Sequence, residues 1–285
     1  MSPRAAILDK LATRRSVGEK IVIVAAHPDD ETIGLGAQLC RLENALLIHV
    51  TDGAPRDGRD AAAYGFASLT DYAAARRAEL AAALAAGNAS HIGTLCLGIT
   101  DQEAMHHFVP LIHRLRDLFE SEQPQAVVTH AYEGGHPDHD ASAFAVHAAC
   151  ALMPALPTTL EMALYHRRDG HLVSGEFLPS APRRKPGATP NASRLPPGRE
   201  LNSVDLELNR EELRRKQQMI DSFATQRWLL MQLDWTTERL RIAPDYDFGA
   251  PPHPGELHYE TLGWGIAGAG WRRRAVAALD EFGCR

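Results

Sequence analysis

The chain has 285 residues, of which 45% are hydrophobic, and it carries a formal net charge of −6 at pH 7. This length and apolar content suffice for one large folded domain and exclude a chain that is disordered throughout. The negative charge argues against a nucleic acid or an anionic membrane as the partner, because both attract basic surfaces. A small neutral or cationic substrate fits this composition better.

Targeting and cysteine signals are weak. The four cysteines have no CxxC spacing, which indicates neither a disulfide framework nor a thiolate zinc site. Charges interrupt every apolar patch in the first twenty residues, and no run of about 18 apolar residues occurs. We therefore expect reduced thiols, no membrane insertion and a cytoplasmic location.

Short apolar runs alternate with helical segments over residues 1–153. The predicted strands end in small or polar residues and cover residues 21–26, 45–53, 91–99 and 126–135. The predicted helices between and after them cover residues 31–44, 71–88, 101–122 and 139–153. This order predicts an α/β, Rossmann-like fold, with a mostly parallel sheet, right-handed crossovers and flanking helices.

Beyond residue 153 the pattern predicts a C-terminal α+β elaboration. Two strands, at 158–167 and 171–178, would form a hairpin that turns at Asp169-Gly170. Residues 179–200 are Pro-rich and basic, which predicts a mobile loop. An amphipathic helix is expected from about Asp205 to Gln226, and a last helix near 271–282. Because no linker separates a second core, we expect residues 1–285 to form a single domain, with a wound core at 1–153 and its elaboration at 154–285.

Two dense groups of histidine and aspartate follow the first and fourth predicted strands. They read AHPDDE at residues 26–31 and GGHPDHD at residues 134–140. Ligands of parallel sheets collect outside the carboxyl ends of the strands, so we expect both groups at one edge. Carboxylates packed this closely repel one another unless a cation lies among them or water reaches them all. Either group alone is also ordinary turn and helix-cap chemistry. Both together favour a functional site, with a metal cation as the sharpest candidate.

The two motifs resemble those of the PIG-L/LmbE superfamily of zinc-dependent de-N-acetylases, which act on N-acetylglucosamine-type amides. Further similarity lies in VTDGA at residues 50–54, in Arg76 and Glu79, in LGITDQ around Asp101, and between Lys216 and Gln226, and more weakly in GELHYE at residues 255–260. The resemblance covers most of residues 20–226. It implies a metal-dependent hydrolase that removes an acetyl group from a small-molecule amino-sugar conjugate.

Carried over position by position, the resemblance implies that His27, Asp30 and His139 hold the metal. Two imidazoles and one carboxylate with an open position suit a catalytic zinc site. The same set also suits Fe2+ or another divalent metal. Asp29 would then be the general base for the water that the metal activates.

The remaining site residues follow from the same resemblance. His136, as a cation, would stabilise the oxyanion or protonate the leaving amine. Asp138 would orient His136 or tune its pKa, although it is equally suited to cap a helix. Arg76 and Asp101 match family positions that reach toward the sugar, whereas an arginine in an Ala-rich helix is more often solvated.

The second motif departs from the family pattern at one point. Some relatives carry a tyrosine just before the first histidine of this motif, where this chain has Gly134 and Gly135. A tyrosine contribution to the oxyanion hole is therefore open, and Tyr132 cannot simply replace it.

Two other functions stay open. An inactive sugar-conjugate-binding protein on the same fold is one, although it would usually have lost Asp29 or His139. A nucleotide-binding oxidoreductase is the other; it needs G-x-G-x-x-G directly after the first strand, whereas Gly34 and Gly36 fall inside a helix. The sequence decides neither the identity of the sugar conjugate nor whether the chain forms homo-oligomers.

Overall fold

The computed structural model describes residues 3–179 and 203–283. The strands in these residues are β1 (Val17–Ala25), β2 (Leu42–Pro55), β3 (Gly93–Asp101), β4 (Ala126–His130), β5 (Thr158–Met162), β6 (Tyr165–Arg168), β7 (His171–Ser174), β8 (Ser203–Glu207) and β9 (Thr237–Ile242). The helices are α1 (Pro3–Ala12), α2 (Asp30–Leu39), α3 (Arg59–Ala63), α4 (Leu69–Ala86), α5 (Phe108–Glu122), α6 (Pro137–Ala151), α7 (Arg210–Asp221), α8 (Arg227–Leu230) and α9 (Gly268–Glu281). In this part of the chain every helix is too short or too polar to span a bilayer.

Seven strands form one sheet in the order β3-β2-β1-β4-β5-β9-β8. The first five positions of this order pair in parallel, and β9 and β8 add antiparallel strands at the far edge. Helices flank the sheet, and the α/β, Rossmann-like prediction is confirmed. Because β5, β8 and β9 come from beyond residue 153, the C-terminal elaboration shares the sheet of the core. The single-domain boundaries stay a prediction.

The sheet is covered on both faces, which explains its apolar strands. Leu35 of α2, Leu80 of α4 and Met219 of α7 pack in one buried cluster. Leu111 of α5 and Phe144 of α6 pack in the cluster on the other side. Strands enclosed in this way read as continuous hydrophobic runs, as in the buried IVIVA of β1.

The predicted hairpin is present, but its first strand is shorter than expected. Strands β6 and β7 pair antiparallel around Asp169 and Gly170, both at positive φ. Residues 158–162 instead join the main sheet as β5, parallel to β4. The chain thus leaves the main sheet at Ala163 and Leu164. The sequence did not indicate this break because its apolar residues continue through it.

The predicted helix from Asp205 to Gln226 begins later than expected. Residues 203–207 form β8, in which Leu206 is buried between exposed Asp205 and Glu207, the alternation of a strand. Helix α7 begins at Arg210 with a capping box of Asn209 and Glu212, a start signal that the amphipathic pattern obscured. The carboxylate of Glu212 also pairs with two arginines, Arg14 and Arg41. Of the predicted loop at 179–200, all but Pro179 lies outside the described residues.

A buried ion pair joins the C-terminal elements to helix α2. Lys216 Nζ donates to the Ile33 carbonyl at 2.7 Å and pairs with Glu238 Oε1 at 2.8 Å. The same oxygen of Glu238 accepts the Ala37 N–H at 2.8 Å. Lys216 and Glu238 are fully buried. This pair fixes α2, the helix that begins with Asp30.

Candidate active site

The two His-Asp motifs lie side by side. Strands β1 and β4 are neighbours, with Ile23 opposite Val128 in the register. AHPDDE forms the turn from β1 into α2, and GGHPDH forms the turn from β4 into α6. Both turns leave the carboxyl edge of the sheet, as the sequence predicts.

Among the three predicted metal ligands, Asp30 contacts both of the histidines, His27 and His139. Asp30 Oδ2 lies 3.2 Å from His27 Nδ1, and Asp30 Oδ1 lies 3.1 Å from His139 Nε2. The centroids of the two imidazole rings are 5.3 Å apart. All three residues are buried. His27 and His139 also form, with His136, a group of nitrogens that lie within 4.8 Å of one another.

The charge of this cluster suits a cation. Asp29, Asp30, Asp101 and Asp138 are all buried here, and the buried guanidinium of Arg76 is the cation beside them. Buried carboxylates are costly unless positive charge compensates them. Imidazole nitrogens and carboxylate oxygens are the ligands that Zn2+ and Fe2+ accept. The residues present therefore fit a divalent metal.

Asp29 stands in a strained backbone conformation next to this group. Its φ is 144°, and it precedes α2 without a side-chain cap hydrogen bond. Residues with a Cβ rarely adopt positive φ, and such strain is concentrated at functional positions. Burial raises the pKa of Asp29 to about 8, although the nearby Arg76 guanidinium opposes this rise. A carboxylate with a pKa near neutrality is well suited to accept a proton.

Arg76 holds the loop that carries Asp29. Its Nη2 donates to the Pro28 carbonyl at 2.8 Å and lies 3.4 Å from Asp29 Oδ2, while Nη1 donates to the Gly53 carbonyl at 3.2 Å. Gly53 has φ +67°, and a Cβ there would crowd the guanidinium. Arg76 is thus buried rather than solvated, and it also lines the cavity described below.

His136 caps helix α6. Its Nδ1 accepts the Asp138 N–H at 3.2 Å, so the ring hydrogen is on Nε2. Burial, reinforced by neighbouring His27, holds the pKa of His136 well below its usual value. This direction of the pKa disfavours the cation that its predicted role assumed.

Asp138 contacts groups other than the His136 ring. Its carboxylate accepts the backbone N–H groups of Gln102 at 2.6 Å and Ala104 at 3.0 Å, and it lies 3.4 Å from His27 Nε2. Its distance to His136 Nδ1 is 4.0 Å, too long for a hydrogen bond. Asp138 thus braces the loop after β3, and the cap of α6 is His136 instead.

Asp101 ends β3 within the cluster. Its Oδ1 lies 3.0 Å from His27 Nε2 and 3.8 Å from His136 Nε2. Burial opposes ionisation of this carboxyl, but the charge and the hydrogen bond of His27 outweigh it and leave the pKa below its usual value. Asp101 also lines the cavity.

His130 belongs to the same cluster, although the sequence analysis did not single it out. It is the last residue of β4, its ring stacks on His139 at 4.2 Å, and its Nε2 accepts the Ala26 N–H at 2.9 Å. Nε2 also lies 3.5 Å from Asp30 Oδ2. The available signal was its position at the end of the strand before the second motif.

Tyr165, rather than Tyr132, is the tyrosine next to the ligands. Its ring meets His139 edge-on at 5.2 Å and lines the cavity. A Cβ on Gly135 would collide with the Tyr165 carbonyl, so no tyrosine can stand at that position. Tyr132 points elsewhere, because its hydroxyl donates to the Ala250 carbonyl at 2.8 Å.

A cavity of about 290 Å³ opens above the cluster. His27, Asp29, His136 and His139 lie among its lining residues. This volume is at the low end of small-molecule pockets. The buried nitrogens and carboxylates are therefore reachable by a small ligand.

The two motifs lie within the part of the chain that matches a known family. Residues 22–150 match the family model described as PIG-L, GlcNAc-PI de-N-acetylase, and this stretch contains both motifs. This stretch, 129 of the 285 residues, matches the PIG-L family. The PIG-L match extends from β1 through α6, the wound half of the sheet and the turns that carry the site. No curated protein sequence matches the chain.

Solved structures share the PIG-L fold at low identity. The zinc-inhibited form of teicoplanin deacetylase Orf2 is 18% identical with a TM-score of 0.55, over 80% of this chain and 100% of that one. N,N'-diacetylchitobiose deacetylase from Pyrococcus horikoshii is 17% identical with a TM-score of 0.51, over 84% and 92% of the two chains. GalB, the 4-carboxy-2-hydroxymuconate hydratase from Pseudomonas putida KT2440, is 15% identical with a TM-score of 0.51, over 75% and 82%. Because a hydratase is among them, the fold alone does not select the reaction.

Proposed function

We propose that the protein is a metal-dependent hydrolase that removes an acetyl group from an N-acetylglucosamine-type conjugate. The observation that carries this proposal is the contact of His27 and His139 with the two oxygens of Asp30, directly beside the strained Asp29. The PIG-L family match supports the reaction class.

His27, Asp30 and His139 would hold the metal, for which we propose Zn2+ ahead of Fe2+. When bound, such a metal lowers the pKa of water and polarises an amide carbonyl. Asp30 contacts the imidazoles of His27 and His139 through different oxygens, so its substitution would remove a contact of both rings at once. His130 stacks on His139 and limits the rotation of that ring.

Asp29 would take the proton from the attacking water. Its backbone conformation and the contact with Arg76 fix where the carboxylate lies. The position of Arg76 therefore affects catalysis through Asp29, in addition to the sugar contact that the family resemblance implies for Arg76 and Asp101.

His136 would donate its Nε2–H to the oxyanion, since its Nδ1 already accepts a backbone hydrogen bond. The Tyr165 hydroxyl is a second donor for the same oxyanion, because this tyrosine lines the cavity beside His139. Asp138 would contribute by holding the Gln102 loop, next to Asp101, against His27.

An inactive sugar-binding protein is the competing proposal. Such a protein gains nothing from a strained, buried aspartate beside three imidazoles, because each feature lowers stability. The partner that the reaction requires is a small molecule. A cytoplasmic location stays a prediction from the sequence.

Acetate release from N-acetylglucosamine conjugates, measured with zinc and with a chelator, tests this function. We expect Asp29→Asn to retain the metal while turnover falls by about 10²–10⁴-fold, the usual contribution of a general base. Asp60→Asn is the matched control, because Asp60 is an exposed carboxylate that lines the same cavity and belongs to none of the groups that could hold a metal.

Unchanged turnover in Asp29→Asn would remove Asp29 from the mechanism. Full activity of the wild-type chain after chelation would exclude a metal-dependent hydrolase. Equal losses in the Asp29 and Asp60 variants would show that the cavity responds to any loss of negative charge.

A further inference from the structure

Apolar side chains surround the mouth of the cavity. We call this surface the apolar rim; it consists of Tyr64, Leu172, Trp228, Leu229, Leu262 and Trp264. Trp228 is 74% exposed, Tyr64 is 41% exposed and Leu262 is 39% exposed. Isolated exposed apolar residues need no explanation, but several around one cavity mark a binding surface.

The fold gives little reason for Trp228 to stand at this place. Its ring has no aromatic or hydrogen-bond partner among the described residues, and its backbone carbonyl accepts a hydrogen bond from the Gln232 side chain. Trp228 lies in the short helix α8, directly before Leu229, which packs against the core. The chain therefore anchors this segment through Leu229 and leaves the indole over the cavity.

The rim adjoins the side of the cavity where the sugar is proposed to bind. Tyr72 and Arg76 are one turn apart on α4, and Tyr64 stacks on Tyr72. Gln226, two residues before Trp228, donates to the Tyr72 hydroxyl at 2.8 Å. Tyr64 and Trp228 are thus linked through Tyr72 to the helix that carries Arg76.

A cavity of about 290 Å³ has room for a sugar-sized group, and any further part of the substrate must pass over the rim. From this we infer that the substrate carries an apolar or aromatic aglycone, which rests on Trp228 and Tyr64 outside the cavity. This inference rests on the proposed function and names its substrate class.

The test compares methyl and hexyl glycosides of N-acetylglucosamine, each with the zinc-loaded full chain. A hexyl chain that covers about 60 Å² of apolar surface should tighten binding roughly 10-fold. We expect the wild-type chain to show a KM about 10-fold lower for the hexyl glycoside. Trp228→Ala should abolish this difference by raising the KM for the hexyl glycoside.

Met231→Ala is the matched control. Met231 follows α8 three residues after Trp228 and is 80% exposed, but it does not line the cavity. Its variant should keep the preference for the hexyl glycoside. Loss of the preference in both variants would overturn the inference, as would equal KM values for the two glycosides in the wild-type chain.

Calorimetric binding to the Asp29→Asn variant separates this inference from the proposed function. Tighter hexyl binding that Trp228→Ala removes, without any hydrolysis by the wild-type chain, would refute the reaction and retain the apolar surface. Hydrolysis without a hexyl preference would refute the surface alone. A preference for N-octanoylglucosamine instead would place the apolar group on the acyl side and overturn the inference.

Unfolding of Trp228→Ala provides a last check. An exposed indole that makes its contacts only with a bound ligand contributes little to the stability of the fold, so the melting temperature should stay within about 2 °C of wild type. A larger fall would show that the ring is already covered in the folded protein, which contradicts the inference.

Discussion

Substitution of Asp29 by glycine and by alanine measures the strain at the proposed catalytic base. Asp29 stands at φ 144° and ψ −27°, and a residue with a Cβ in a sparsely populated region costs about 1–3 kcal/mol. Glycine removes this cost, but its greater freedom in the unfolded chain costs about 0.5–1 kcal/mol. Alanine keeps the Cβ and therefore the strain.

Both variants lose the carboxylate and its 3.4 Å contact with Arg76, so these losses cancel in the comparison. We expect Asp29→Gly to be more stable than Asp29→Ala by about 1 kcal/mol. Urea unfolding with chelator present, read as the free energy of unfolding at equal m-values, measures the difference. A glycine variant that is no more stable than the alanine variant would refute the strain at this position.

Three further predictions concern residues around the site and the sheet. Lys216→Met should lower the free energy of unfolding by about 3–5 kcal/mol because it leaves a buried carboxylate unpaired; addition of Glu238→Gln should recover most of this in urea titrations, and no recovery would contradict the pairing. Tyr165→Phe should lower kcat about 100-fold as an oxyanion donor, whereas Tyr132→Phe should leave kcat unchanged; equal kcat values would remove Tyr165 from the mechanism. Burial raises the pKa of Glu212, but hydrogen bonds from its arginine partners and from a backbone N–H outweigh it, so the folded pKa lies below the unfolded value. This carboxylate therefore stabilises the fold above pH 4.5 and loses that contribution as pH falls through the folded pKa. Glu212→Gln should cost about 2 kcal/mol at pH 7 and progressively less below about pH 4.5, and a cost that does not change with pH would contradict this.

The wound half of the fold was predictable because its strands are enclosed on both faces. The short, continuous apolar runs of β1 and β4 are typical of strands buried between helices, and their ends carry the two motifs. The contact between the motifs then follows from parallel pairing of neighbouring strands. The C-terminal half was less predictable because β8 and α7 are adjacent in the chain. The apolar residues of a short strand such as VDLE also fit the apolar face of a helix.

Within the site, the sequence indicated which residues belong to the site better than it indicated which groups they contact. Asp138 was expected beside His136, whereas its carboxylate accepts the backbone of Gln102 and lies against His27. The Ala-rich helix left open whether Arg76 is solvated or reaches the substrate, whereas the structure buries it against the Pro28 carbonyl. Such partners depend on loops that meet only in the folded chain, and no local pattern encodes them.

The central claim is that His27, Asp30 and His139 together bind one divalent metal ion. Anomalous diffraction from zinc-soaked crystals, with data on both sides of the zinc absorption edge, tests it most directly. The account predicts a single strong peak about 2.0–2.2 Å from a nitrogen of each histidine and an oxygen of Asp30. A peak that contacts Asp101 and Asp138 but not His139, or no peak in the cluster, would contradict it.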